Sequence, residues 1–269
     1  VWLPGEGTEI VLPSRFVLPP GPRKGLVLNL AEYRMYYFPE PEPGRPAYVY
    51  TYPMSIGRMD WETPLGKTRI VAMAKNPAWY PPQSVREEHA AEGDPLPRVV
   101  PPGPANPLGS RAMRLGLPGY LIHGTNRPAG VGMRVSHGCV RMFPEDIEFL
   151  FEQIRVDTPV RIINAPVKIG WDGDVLVAEV HPLLESSTPP VEETLEHLEQ
   201  LDADIDLPPP DPNSKDPLTH VTEQFIAATA VRAGQLDWDL IEKLVERANG
   251  IPEVVGTGIK NAATSAAFE

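Results

Sequence analysis

The chain has 269 residues and a formal net charge of −12, from 24 basic and 36 acidic side chains, which argues against non-specific binding to nucleic acid or anionic lipid. Hydrophobic residues make up 42% of it, no apolar run is long enough to cross a bilayer, and the length allows one large or two modest domains. There are 34 prolines where ordinary usage of roughly 5% would give about 13, so helices are broken often and strand and loop should dominate.

Residues 1–23 read as a proline-rich, extended lead-in; Val1-Trp2-Leu3-Pro4 has neither the basic start nor the apolar stretch of a leader peptide, which suggests a mature or trimmed form. Gly25–Leu30, Arg34–Phe38 and Tyr48–Tyr52 are strand candidates rich in aliphatic and aromatic residues. A fourth, Lys67–Met73, follows the turn-like Thr63-Pro64-Leu65-Gly66. From Asn76 to Gly119 the text is Pro, Gly and polar residues with little period, and a loop of that length reads as a lid or binding feature. Tyr120–His123 is a buried strand ending on a histidine. Pro144–Ile154 has proline and acids in its first turn and Ile147, Leu150, Phe151 and Ile154 at helical spacing, which predicts an amphipathic helix. Pro159–Ile163 returns as a strand, and Val167–Ile169 and Val175–Ala178 flank an Asp-Gly hairpin signal at Asp172-Gly173. Residues 185–216 are acidic and proline-rich, with a short helix expected at Val191–Leu201. Two helical stripes follow, Val221, Phe225 and Ala228, then Leu240, Ile241, Leu244, Val245 and Ala248, broken near Gly234; the final residues are small and polar and are expected to fray.

The one cysteine, Cys139, stands in Ser136-His137-Gly138-Cys139-Val140-Arg141, 16 residues after His123-Gly124-Thr125. A lone cysteine cannot close an intramolecular disulfide, which leaves a packing thiol, a metal ligand or a nucleophile. As a nucleophile it needs a base, and His123 is the right type to take its proton and return it to a leaving amine. The Gly138 and Cys139 N–H groups are candidates to face an oxyanion, and a helix start shortly downstream would favour a thiolate. The other readings are a core histidine at His123 and a zinc site from His-x-Cys with His123, which falls short of four ligands. Arg134 and Arg141 are either solvated charges or carboxylate anchors. His89, His181, His197 and His220 read as bystanders.

His123-Gly124-Thr125 and Ser136-His137-Gly138-Cys139-Val140-Arg141, at this spacing, resemble the signature of the L,D-transpeptidases, the YkuD-type catalytic domains of bacterial cell-wall synthesis. Glu32–Tyr37, Thr63-Pro64-Leu65-Gly66, Asn76-Pro77-Ala78-Trp79 and Asn106-Pro107-Leu108-Gly109 fit the same family. Leu3–Pro13 is similar to the tail of a LysM-type module, which implies a glycan-binding module upstream or cut away. The resemblance implies a mainly β, α+β fold: a β-sandwich catalytic domain at residues 24–166 with a long lid loop, then a partly helical extension at 167–269 of the kind found in periplasmic Gram-negative members.

By that resemblance Cys139 attacks the third residue of a tetrapeptide stem, D-alanine leaves, and His123 acts as base and acid, oriented by the Gly124 carbonyl. An amine then takes the acyl group: a second stem, an outer-membrane lipoprotein lysine or a D-amino acid. Gly138 and Cys139 would supply the oxyanion N–H groups; Ser136, His137, Arg134, Arg141, Trp79 and Tyr80 would shape the cleft and hold substrate. The family implies no metal or cofactor, a periplasmic setting and susceptibility to carbapenems. Competing readings are an L,D-carboxypeptidase, an inert cell-wall-binding module and a zinc-dependent amidase.

Overall fold

The computed structural model describes residues 5–9, 13–184 and 216–259. It divides the chain into two units, Pro22–Asn164 and the residues from Ala165 onward taken with the lead-in before Pro22. The expected helix at Val191–Leu201, and Leu3, Pro4 and residues 10–12 of the LysM-like stretch, lie outside the described residues.

In the first unit the strands are β1 (Gly25–Asn29), β2 (Arg34–Phe38), β3 (Tyr50–Pro53), β4 (Ile56–Gly57), β5 (Gly66–Lys75), β6 (Arg111–Leu115), β7 (Leu121–His123), β8 (Arg134–Ser136), β9 (Val140–Arg141) and β10 (Pro159–Ile163). Eight of them form one sheet in the order β3-β2-β1-β10-β5-β6-β7-β9, while β4 and β8 pair separately and in parallel. β1 is buried along its whole length between β2 and β10, which is why Leu26-Val27-Leu28 is a continuous apolar run rather than an alternating one. β5 is long enough to serve two neighbours: its first half pairs with β10 and its second with β6, across an irregularity between Ile70 and Ala72. A strand that changes partners at a bulge is how a sheet turns a corner.

Helix α1 (Gln83–Ala91) and helix α2 (Pro144–Gln153) complete this unit. Pro144 sits in the first turn of α2, and the helix buries Ile147, Leu150 and Phe151 on the face that packs against β6. Each such side chain stabilises the fold by about 1.5–3 kcal/mol.

Residues 76–119, read from the sequence as loop, contain all of α1 and β6. Only Val85 of α1 is buried, so its sequence shows almost no apolar stripe; β6, Arg-Ala-Met-Arg-Leu, has its arginines three apart and shows no strand period. The rest of the segment is held by its backbone. Trp79 and Val100 exchange N–H···O bonds of 2.9 Å each. Asn106, 1% exposed, donates its amide to the carbonyls of Pro77, Pro101 and Val100 at 2.9, 3.1 and 3.2 Å and accepts from the Leu108 N–H at 2.9 Å. One buried side chain thus ties both arms of the lid together.

In the second unit β11 (Val167–Asp172) and β12 (Val175–Val180) form the expected hairpin, with Gly173 at φ 58° in its two-residue turn. Helix α3 (Pro217–Thr229), capped by the Asp216 carboxylate, and helix α4 (Trp238–Arg247), capped by Asp237, carry the two helical stripes. The break near Gly234 is not a loop but strand β13 (Gly234–Leu236), and β14 (Glu253–Gly258) follows α4; the sheet order is β11-β12-β14-β13. Leu176, Ala178, Val221, Ile241, Leu244 and Val255 fill the core between sheet and helices. Lys168 and Glu179, 0% and 1% exposed, form an ion pair of 2.7 Å. Burial works to raise the Glu179 carboxyl, but hydrogen bonds from His181, Lys168 and the Val17 N–H, with the Lys168 charge, hold it below the ordinary carboxylate range.

Replacing Asn106 with Ala removes its bonds to the Pro77, Val100 and Pro101 carbonyls and leaves the buried Leu108 N–H without its acceptor, and should lower stability in urea denaturation by about 1–3 kcal/mol. The same variant should be cut within residues 76–110 by a protease that spares the wild type. An unchanged digestion pattern would show that the lid does not depend on this side chain.

Candidate active site

His123 is the last residue of β7, and Cys139 is the residue immediately before β9. β7 and β9 are parallel, with Ile122 opposite Val140 and His123 opposite Arg141. Continued one residue back, that register sets Cys139 beside Leu121, which shares a face of the sheet with His123 because side chains alternate along a strand. Two segments 16 residues apart therefore present thiol and imidazole to one side, and both line the same cavity of about 840 Å³.

The turn that carries the thiol is shaped by close approach. Gly138 has φ 89°, and a Cβ there would meet the Tyr120 ring at 2.6 Å. Beneath it lies Gly57, where a Cβ would come within 2.9 Å of the Gly138 Cα. Neither position admits a side chain. Thr63 joins the two backbones: its hydroxyl donates to the Gly138 carbonyl and accepts from the Gly57 N–H, both at 2.9 Å. The buried Ser136 hydroxyl donates to the Cys139 carbonyl, and Ser55 exchanges backbone bonds with Arg141.

His123 is 3% exposed, and its Nδ1 lies 2.6 Å from the Gly124 carbonyl oxygen. A carbonyl only accepts, so Nδ1 carries the proton and Nε2 keeps a lone pair. Burial first, then the Arg141 charge, push the imidazole down to about 3, against the pull of Gly124. Burial also pushes the Cys139 thiol up, more than a hydrogen bond from Leu121 and the Arg141 charge bring it down. The expected thiolate is therefore not the resting form. The pair rests as neutral thiol and neutral imidazole, with the thiol donating to the Gly119 carbonyl at 3.7 Å.

Ser136, His137, Arg141, Trp79 and Tyr80 also line the cavity, and Tyr80 is 69% exposed at its mouth. Arg134 is not among the lining residues; its Nε donates to the Gly57 carbonyl at 3.1 Å and so braces the turn. His89, read as a bystander, lines the cavity. His137 does not face Cys139 as a second base: its Nε2 bonds Glu88 at 2.6 Å and its ring meets the edge of Trp61 at 5.3 Å. The walls carry Arg114, Arg127 and Arg141 against one carboxylate, Asp94, so a chain of net charge −12 holds a cationic cleft. Thr63, Arg58, Glu88, Arg114 and Arg127 were not singled out from the sequence. Thr63 stood in a stretch read as a turn and as part of the family resemblance, with no role given to its side chain, and the others carry no local signal.

Residues 23–162 match the family model of the L,D-transpeptidase catalytic domain, YkuD. The chain is 42% identical over 190 residues to the probable L,D-transpeptidase YcfS of Escherichia coli K12, covering 68% of this chain and 58% of that protein. It is 34% identical over 260 residues to the probable L,D-transpeptidase ErfK/SrfK of Salmonella typhimurium, covering 96% and 75%. The chain spans little more than half the length of YcfS and of the E. coli K12 protein YbiS, at 58% and 55%. Among solved structures, an L,D-transpeptidase from Mycobacterium smegmatis aligns at 16% identity over 52% of this chain and 58% of that one, with a TM-score of 0.39.

The buried imidazole has a consequence for acid stability. With His123 at about 3 in the folded state and about 6.5 unfolded, the unfolded chain binds more protons between those values, so this residue costs nothing above pH 6.5 and progressively more as pH falls toward 3. By pH 4 the wild type should have lost about 3 kcal/mol relative to His123→Asn, compared with their difference at pH 7. Urea denaturation of both proteins across that range measures it, and a pH-independent difference would show that the ring is not held neutral by burial.

Proposed function

The chain belongs to the L,D-transpeptidase (YkuD) family, and on that premise we propose that it is a cysteine acyltransferase acting on peptidoglycan stem peptides. The observation that carries this reading is the shared face of Cys139 and His123, with the Gly124 carbonyl holding the imidazole in the tautomer that leaves Nε2 free. In the proposed reaction the thiol turns from Gly119 and its sulfur attacks the carbonyl carbon of the third stem residue while Nε2 of His123 takes the thiol proton. Because the resting pair is neutral, proton transfer belongs to the attacking step and does not precede it.

The tetrahedral oxyanion is assigned to the Gly138 and Cys139 N–H groups. The C–N bond then breaks, His123 returns the proton to the departing D-alanine amine, and a thioester remains. An acceptor amine attacks the thioester and loses its proton to His123, which passes it to the released thiolate. Stem carboxylates are assigned to Arg141, with Arg114 and Arg127 lining the same cavity, since guanidinium binds carboxylate through paired hydrogen bonds. Trp79 and Tyr80 act as lid residues, Ser136 and His137 shape the cleft floor, and Arg134 supports the turn instead of touching substrate. The setting that supplies such a substrate is the periplasm, with a second stem, a lipoprotein lysine or a D-amino acid as acceptor.

Cys139→Ala should abolish release of D-alanine from tetrapeptide muropeptides while the circular dichroism spectrum stays that of the wild type. Intact-mass spectrometry after incubation with a carbapenem should find one added inhibitor mass on the wild type and none on the variant. Turnover in Cys139→Ala, or an unmodified wild type, would sink the reading. Product masses with candidate amines in competition distinguish the acceptors, and a shortened stem with no new cross-link would identify water.

A further inference from the structure

The lid helix α1 is held down in an unusual way. Of its nine residues only Val85 is buried, so apolar packing contributes little to its seating. What reaches the body of the unit is Glu88, whose two carboxylate oxygens are divided: Oε1 takes a bond of 2.5 Å from Arg58 and Oε2 one of 2.6 Å from His137. Arg58 first, then His137, hold this carboxyl below the ordinary range, so it stays charged through neutral pH.

His137 lies between two fixed pieces of backbone. The Ser136 carbonyl accepts from the Arg58 N–H at 2.9 Å, and the Gly138 carbonyl accepts from Thr63 at 2.9 Å. Its ring is held by Trp61 on one side and by Glu88 on another. Glu88 thus makes the lid's hydrogen bond to the residue that begins the nucleophile turn, beside the His89 ring, whose centroid lies 6.4 Å from that of His137, and the peptide between His137 and Gly138 carries one of the N–H groups assigned to the oxyanion.

We propose that Glu88 is a positioning residue: by bonding Nε2 of His137 it fixes the His137–Gly138 peptide in the orientation that acylation of Cys139 requires, and so links seating of the lid to assembly of the oxyanion site. The proposal rests on Cys139 being the nucleophile. It assigns His137 a purpose that neither the base nor a metal ligand fills, and it explains why a polar, barely buried helix is docked beside a reactive turn.

The test is steady-state release of D-alanine from a defined tetrapeptide muropeptide by the wild type, Glu88→Ala, Glu88→Gln, His137→Ala and the Glu88→Ala/His137→Ala double variant. Glu88→Ala should lower kcat about ten-fold with KM changed by no more than about two-fold. Glu88→Gln keeps one acceptor oxygen for the ring but turns an NH2 toward Arg58, so it should recover part of that loss, and that recovery also shows that the site folds. The double variant should be no slower than His137→Ala, because Glu88 acts through that ring. Imidazole nitrogen chemical shifts should report a protonated, hydrogen-bonded Nε2 at His137 in the wild type and a changed tautomer signature in Glu88→Ala. Unchanged kcat in Glu88→Ala, additive losses in the double variant, or a raised KM at constant kcat would each overturn the proposal. Wild-type turnover and its loss in Cys139→Ala, run in the same assay, isolate a failure of the underlying reaction from a failure of this residue's role.

Discussion

β7 and β9 have three and two residues, and everything chemical in the first unit depends on their lying parallel in one register. A slip of one residue would turn the Cys139 side chain to the opposite face of the sheet from His123. Strands this short hold register weakly by themselves, so the register is set by what surrounds them. Ser55 exchanges backbone bonds with Arg141, the Met142 N–H donates to the His123 carbonyl, and Ile147 and Leu150 of α2 are fully buried just downstream. Thr63 then clamps Gly138 from below. The turn is over-determined, which is what lets Gly138 keep a left-handed conformation against the Tyr120 ring.

Burial that fixes the geometry also sets the charge state. A buried imidazole beside Arg141 stays neutral, and a buried thiol stays protonated. Arg141 works on both groups in the sense that favours chemistry: it disfavours imidazolium and favours thiolate. A pair held this way is stable as two neutral groups and becomes reactive when a carbonyl is brought to the sulfur. That arrangement suits a lone thiol, because the reactive thiolate forms only in the attacking step.

The lid answers to polar contacts more than to packing. Asn106 draws its two arms together, the Trp79–Val100 bridge closes them, and Glu88 sets the helix on Arg58 and His137. A segment with few buried apolar groups and directional bonds can shift without disturbing the sheet below it. Arg114, Arg127 and Arg141 line the cavity in a chain whose other charges are mostly acidic, so an anionic ligand is drawn to the cleft rather than to the surface at large.

Much of this was legible in the residues alone. The apolar runs of β1, β2 and β10, the helix at Pro144, the Asp-Gly hairpin and the stripes of α3 and α4 are all periodic or punctuated features of local sequence. The motif that holds Cys139 and His123 was legible too, and its resemblance to the L,D-transpeptidase signature pointed to the family the chain belongs to. The short strands β4, β8, β9 and β13 were not, since two or three residues show no period and exist only through their partners. Helix α1 escaped because it buries one side chain, and the bond from Arg134 to the Gly57 carbonyl escaped because a guanidinium looks alike in sequence whether it meets substrate or a backbone carbonyl. What only the tertiary structure decided is the state of the groups: that the thiol is held protonated, that His137 belongs to Glu88 and not to Cys139, and that three arginines face one cavity. Those depend on burial and on neighbours tens of residues away, and a linear sequence records which groups exist but not which of them lose their water together.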